Sequence, residues 1–435
     1  MKRSLGFWRS WSLVVGIMIG NGIFMLPAVL APYGSLSLWG WLFAGGGTLF
    51  IALMLGSLAK RIPKVGGPYI YTQTAFGDLP GFLVAWGYWI SLCTATSAGA
   101  IAFVGYFGVF MPSVTSIPLA GAIAALVLIW LLTGINVAGV ETAGIVQLVT
   151  TLLKLLPLFL IAGGGLWLGN VTLIPATNPN HESFPVLIAG LIMLTMWAYV
   201  GVEGVTIPAD DVIEPEKTIP RSLIAGTLTA TVVYIIATYG VMALIPNAKL
   251  ADSTSPFADA ALRIFGQWGS GLVAIGAIIS IGGSTNGNIL VTGMIPRAVA
   301  LNKLFPKRFA GLNKNGAPGF ALIISGLISS FLVAMNYSKG LVGAFKMLIL
   351  LSTLTTLLPY AASALSDLVL QKREADKEGI HYNWKSVSIA VGALIFSLFT
   401  IIGSGLDVAA YGLILLVSGL PVYYWIKSGK KSQVT

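Results

Sequence analysis

Val186-Leu187-Ile188-Ala189-Gly190-Leu191-Ile192-Met193-Leu194-Thr195-Met196-Trp197-Ala198-Tyr199-Val200-Gly201-Val202-Glu203-Gly204-Val205-Thr206-Ile207 is an apolar run with one carboxylate, Glu203, set between glycines. An ionisable group at bilayer depth costs about 2.5 to more than 10 kcal/mol. A chain keeps such a group where it faces a cavity, a partner or a moving proton. The flanking glycines interrupt the helix, which lipid tolerates only where the opened backbone lines a protein-enclosed site. Glu203 therefore marks a pathway through a membrane.

The whole chain supports that solvent. Of its 435 residues 56% are hydrophobic and 9% charged, against about 25% charged in soluble domains. Runs of about 20 apolar residues recur along its length, and no soluble domain interrupts them. The expectation is one transmembrane domain over residues 1–435. The basic start Met1-Lys2-Arg3 leads into a run that continues to Pro27 without a small-residue cleavage site, so a retained first span is expected. One cysteine, Cys93, excludes an intramolecular disulfide framework and reads as a packing residue. With two histidines besides, no metal cluster is expected, and no cofactor.

Windows bounded by charge, Pro or Gly predict twelve spanning helices, near 8–32, 37–59, 81–111, 117–137, 143–168, 184–207, 222–245, 268–298, 317–336, 341–367, 387–403 and 406–427. The net charge of +10 is arranged by side. Lys2, Arg3 and Arg9 lie at the start, and Lys60, Arg61 and Lys64 follow the second segment. Lys217 and Arg221 follow the sixth; Arg297 to Lys314 follow the eighth; Lys372, Arg373, Lys377 and Lys385 follow the tenth; Lys427 to Lys431 end the last. The other side holds only Lys249, Arg263, Lys339 and Lys346. Both termini are therefore expected in the cytoplasm of a cell inner (plasma) membrane protein. The same distribution argues against nucleic acid as a partner and makes the lipid bilayer one. The basic end suits anionic headgroups, and the acidic loop Asp210, Asp211, Glu214 and Glu216 reads as a solvated linker.

The first and sixth segments share a feature. Gly16-Ile17-Met18-Ile19-Gly20-Asn21-Gly22-Ile23-Phe24 and Trp197 to Gly204 are both glycine-interrupted, five segments apart and so inserted in opposite senses. Such pairs point to an inverted-repeat transporter with discontinuous helices 1 and 6; close packing through small residues is the alternative. Half-helix ends at such breaks offer amides to a carboxylate and carbonyls to an ammonium.

On these marks the sequence resembles the amino acid–polyamine–organocation superfamily, and within it the arginine/agmatine antiporter group. Gly20-Asn21-Gly22-Ile23-Phe24-Met25-Leu26-Pro27, Gly66-Gly67-Pro68-Tyr69, Trp197 to Glu203 and Glu214-Pro215 carry the likeness, with Leu244 to Ala248, Ser255-Pro256-Phe257 and Leu358-Pro359-Tyr360. The resemblance implies an all-α, LeuT-like fold of twelve helices. Its five-plus-five inverted repeats would cover about 8–168 and 184–367, with two further helices over about 387–427. It also implies alternating access and a homodimer. Residue by residue, it implies that Gly20-Asn21-Gly22 hold a substrate carboxylate, that Trp197 stacks over the substrate, and that Val200 meets its ammonium. Tyr88 and Tyr360 match gates that accompany Glu203, or are interface tyrosines. Ser91, Thr96 and Ser352 match side-chain-pocket positions, or bond their own backbone. Asn21 replaces a hydroxyl but can still donate. Asn288 stands where the group has a tryptophan against a guanidinium, which removes a cation–π contact and weakens the inference to arginine itself.

Lys154, in Leu152-Leu153-Lys154-Leu155-Leu156, lies roughly 16 Å into the membrane from Ala143. Either it reaches back to the interface or its ammonium fills a cation site between helices. In the resembling superfamily a lysine here accompanies sodium independence. Lys154 and Glu203 are then two groups able to change protonation as access alternates.

The leading expectation is a secondary transporter exchanging amino acids or their amine products. A proton-coupled, sodium-independent symporter of small neutral amino acids is the alternative. A channel would want a continuous polar stripe. A membrane enzyme would want a nucleophile–base pair or a metal set, whereas His181 and His381 fall in loops on opposite sides. The chain is expected not to be an enzyme.

Overall fold

A computed structural model of the chain describes residues 6–20, 22–62, 67–139, 143–202, 212–378 and 383–431, with side chains except at 143–154, 215, 378 and 429–431. Asn21 and Glu203 lie outside the described residues, as does the side chain of Lys154. The described residues form helices and, apart from one isolated bridge between Gly34 and Ala176, no β-structure.

In chain order the helices are α1 (Phe7–Met18), α2 (Gly22–Leu30), α3 (Leu36–Arg61), α4 (Pro68–Phe76), α5 (Asp78–Phe107), α6 (Ser113–Ser116), α7 (Pro118–Val137) and α8 (Ala143–Leu168). They continue with α9 (Phe184–Met196), α10 (Pro215–Leu244), α11 (Asn247–Ala251), α12 (Pro256–Leu301), α13 (Gly319–Asn336), α14 (Gly340–Glu378), α15 (Trp384–Ile402), α16 (Leu406–Val417) and α17 (Gly419–Lys431). Proline opens α4, α7 and α12, where a missing N–H leaves no bond unmade. Among the described residues, eight helical stretches are long and apolar enough to cross a membrane, or nine if α1 and α2 form one broken span. Leu131, Phe159, Phe331, Ile395 and Leu413 are each more than half exposed. Lipid is the solvent that suits so much outward-facing hydrocarbon. This is a multi-pass membrane protein.

Most of the apolar length of α5 is buried, and it packs against α12 and α14; α15 and the α16–α17 stretch are largely exposed at the periphery. Several expected boundaries are corrected. In the sixth segment the helix that starts at Phe184 ends at Tyr199, because Val200 is extended and Gly201 takes φ 99°; 203–207 lie outside the described residues. The third runs 78–107 rather than 81–111, and the seventh begins at Pro215. The tenth continues to Glu378, past Asp367, since charged side chains end an apolar run without ending a helix. The last is interrupted at Ser418. Within α12, Gly266 (φ 67°) separates an arm, 256–265, from the span that follows.

Candidate functional site

Two chain breaks meet at the centre. α1 stops at Met18, α2 starts at Gly22, and the axes on either side of the break differ by 46°. α9 tightens into a 3-10 turn, Trp197–Tyr199, and leaves helical geometry at Val200 (φ −60°, ψ 133°). The breaks touch. A Cβ on Gly201 would lie 2.6 Å from Cγ2 of Ile17, and one on Gly22 would lie 3.3 Å from both Cα of Ala198 and Cε3 of Trp197. Glycine is needed at 201 twice over, for its positive φ and for this approach. The third side of the meeting point is α12, whose Ser284 Oγ would sit 2.8 Å from a Cβ on Gly20.

Breaking a helix frees backbone carbonyls, and these need donors. Tyr234, on α10, lies with its hydroxyl 2.6 Å from the Met18 carbonyl oxygen and 2.9 Å from that of Ala198. A phenol has one proton, so it serves one helix end at a time while facing both. Behind it, Tyr199 donates toward the Trp41 carbonyl at 3.1 Å or Thr231 Oγ1 at 3.0 Å. The Thr231 proton is committed to Thr227 O. Rings of Trp41, Tyr199 and Tyr234 pack together, with centroids 4.7 to 6.1 Å apart. The breaks thus rest on a rigid aromatic wall.

Trp197 is buried and meets Phe345 of α14 edge to face, at 5.4 Å and 87°. Two turns along α14 a hydroxyl cluster joins it to α5. Ser352 donates to Ser91 O at 3.0 Å, and Thr356 donates to Ser352 O at 2.9 Å. Ser91 Oγ is bonded to Thr356 Oγ1 and lies 3.3 Å from Ser352 Oγ. With the Ser352 and Thr356 protons given to carbonyls, Ser91 is the donor within the cluster. Tyr88 and Tyr360 continue the same seam, three residues before Ser91 and one turn after Thr356; Tyr360 is fully buried.

The structure therefore brings Gly20, Gly22, Trp197 and Val200 to one place, and Ser91 and Ser352 into direct contact beside it. Asn288 lies one turn beyond Ser284 on α12 and is partly buried. Thr96 is turned to its own helix, donating to Leu92 O at 2.9 Å, so its hydroxyl is occupied. Lys154 belongs to α8, which approaches α12 where Pro157 faces Gly276; a Cβ there would lie 3.4 Å from the proline ring. Sequence reasoning missed Tyr234, Ser284, Phe345 and Thr356. Nothing in the α10 run distinguishes Tyr234 from Tyr239; only the breaks it faces do so.

Comparisons with known proteins identify the chain's relatives. The profile of the amino acid permease family matches residues 5–417. A putative arginine/ornithine antiporter of Bacillus subtilis is 32% identical, with 97% of each chain covered. The putrescine transporter PotE of Escherichia coli K12 is 29% identical over 93% of this chain and 92% of its own. The cadaverine/lysine antiporter of the same strain is 28% identical, over 92% and 90% respectively.

Proposed function

The chain belongs to the amino acid permease family, and from that premise we propose that it is a secondary transporter that exchanges a basic amino acid for another or for a diamine. The observation that carries the proposal is the meeting of the two helix breaks around Gly20, Gly22 and Gly201, walled by Trp197 and Ser284. Relatives named for arginine/ornithine, putrescine and cadaverine/lysine supply the substrate class.

In this reading the amides of 20–22 receive the substrate carboxylate and the carbonyls near Val200 its ammonium. Trp197 closes over it, backed by Phe345. The side chain extends toward Ser91, Ser352 and Asn288, a small polar wall that suits an amine better than a flat guanidinium. Thr96 lines this wall only if it releases Leu92 O. Twelve spans, ten of them in two inverted repeats of five, cytoplasmic termini in the inner membrane and a homodimer complete the proposal.

Glu203, with Tyr88 and Tyr360, is proposed as the gate whose protonation follows access, and Lys154 as the cation that stands in for sodium and can itself cycle a proton. Replacing Glu203 by Gln flattens the pH dependence of transport in this account; an unchanged profile removes the role. That pair of residues also favours a second reading, proton symport of small neutral amino acids. Counterflow separates the two. Arginine, lysine, ornithine and putrescine are offered to proteoliposomes that are empty or preloaded with a partner, with and without a proton gradient. Uptake only into loaded vesicles is expected; gradient-driven uptake of neutral amino acids into empty vesicles supports the symporter instead.

A further inference from the structure

All nine residues of α2 are buried, whereas α1, the other half of the same broken segment, leaves Trp8 72% exposed. α2 is thus enclosed by protein along its whole length. The seal has a centre. Tyr106, at the end of α5, donates its hydroxyl proton to Phe24 O of α2 at 2.8 Å and accepts the Phe257 N–H of the 256–265 arm at 3.2 Å. That amide is one of those a helix start leaves free. The Phe24 ring lies edge-on to both Tyr106 (5.8 Å, 81°) and Phe257 (5.5 Å, 67°), and all three side chains are fully buried. A Cβ on Gly105 would lie 2.3 Å from Thr254 O, so the end of α5 presses directly on the strand of chain entering the arm. That entry is held in shape by Ser253, which bonds Asp259 at 2.5 Å and accepts the Ser255 N–H at 3.2 Å.

We propose that Tyr106 is a positioning residue, a latch that fixes α2 to the 256–265 arm and closes the substrate path on the α2 side. The inference rests on the proposed transport function. One hydroxyl adds a second donor to an α2 carbonyl that already accepts the Ala28 N–H within its helix, and partners an arm amide that would otherwise be bare, so the two elements are tied while the path is shut. When the path opens, water reaches both groups and the hydroxyl is dispensable. Its loss therefore penalises the closed state alone and shifts the population toward the open one.

The test uses the full-length protein with Cys93, its one cysteine, replaced by Ala and a reporter at Val29→Cys on α2, where the native side chain is 3% exposed. Labelling by a membrane-impermeant maleimide from the α2 side reads opening. Tyr106→Phe keeps the ring and is expected to raise the labelling rate by about tenfold, the scale set by one buried amide losing its partner. Phe24→Leu keeps the carbonyl but removes the edge contacts, with about a threefold rise expected. Turnover against KM is measured for both, since an opened latch changes the apparent KM on that side. A lowered melting temperature with parental labelling would make Tyr106 a packing residue and overturn the proposal, as would parental labelling in a folded, active Tyr106→Phe protein. Substrate added to the parent separates the two layers of argument: if labelling of Val29→Cys ignores substrate, alternating access fails. If it responds but Tyr106→Phe changes nothing, only the latch fails.

Discussion

Gly201→Ala attacks the place where the two broken segments touch. Gly201 sits at φ 99°, where an alanine is strained by about 1–3 kcal/mol. The new methyl would also meet Ile17 Cγ2 at 2.6 Å. That carbon branches from Cβ of a helical isoleucine, whose rotamer is nearly fixed, so the neighbour cannot swing aside; overpacking adds about 1–3 kcal/mol. The sum, roughly 2–6 kcal/mol, falls within or below the total stability of a typical domain. Relaxation is expected to come from displacement of the 200–201 backbone, which forms the site. Exchange in proteoliposomes should fall by at least about tenfold, the equivalent of 1.4 kcal/mol. Adding Ile17→Ala removes the clash but not the backbone strain, so the double variant recovers part of the rate and never all of it. Wild-type exchange by Gly201→Ala would refute the reasoning, since it requires a backbone at 201 that an ordinary residue can adopt. Full recovery in the double variant would assign the whole effect to sterics.

Trp197→Ala removes the ring between the breaks and Phe345; the apparent KM for exchange should rise about tenfold with a smaller change in turnover, read from initial rates. Ser352→Ala takes away the donor to Ser91 O in a fully buried seam. It is expected to cost about 1–3 kcal/mol, visible as a lower melting temperature in detergent. Arg61→Ala leaves Asp367, which is fully buried and 3.8 Å from the guanidinium, without its cation. A loss of about 1–3 kcal/mol is expected, smaller than for a completely buried pair because Arg61 is partly exposed. Asp367→Asn on top of it should restore most of the melting temperature, and no restoration would place the effect in the Arg61–Glu374 bond at 2.8 Å instead.

Most of the membrane architecture was legible in the chain because hydrocarbon imposes a length and a composition that soluble folds do not. The break in the sixth segment was legible too, as glycines beside an acid, and the structure puts it at Val200 and Gly201. What apolar windows could not reveal were elements whose reasons are local. α4 is short and mixed in polarity, and it is held by Arg373, which donates to Ala75 O at 2.9 Å from the extended end of α14. The 256–265 arm is set off by one glycine conformation at 266. The support of the site was the least legible part. Tyr234, Tyr106 and Thr356 matter for what lies opposite them, and that depends on helix contacts across many tens of residues. Thr96 illustrates the reverse case, in which a hydroxyl at a plausible position is spent on its own helix.

The most direct test of the central claim, that the two facing breaks form the site for an exchanged basic amino acid, is a structure determined with ornithine bound. The account predicts the substrate carboxylate against the amides of residues 20–22, its ammonium at the carbonyls near Val200, and its side chain between Trp197 and the Ser91–Ser352 seam. Ornithine seated away from both breaks, with Gly20, Gly22 and Gly201 still packed on Ser284, Trp197 and Ile17, would contradict it.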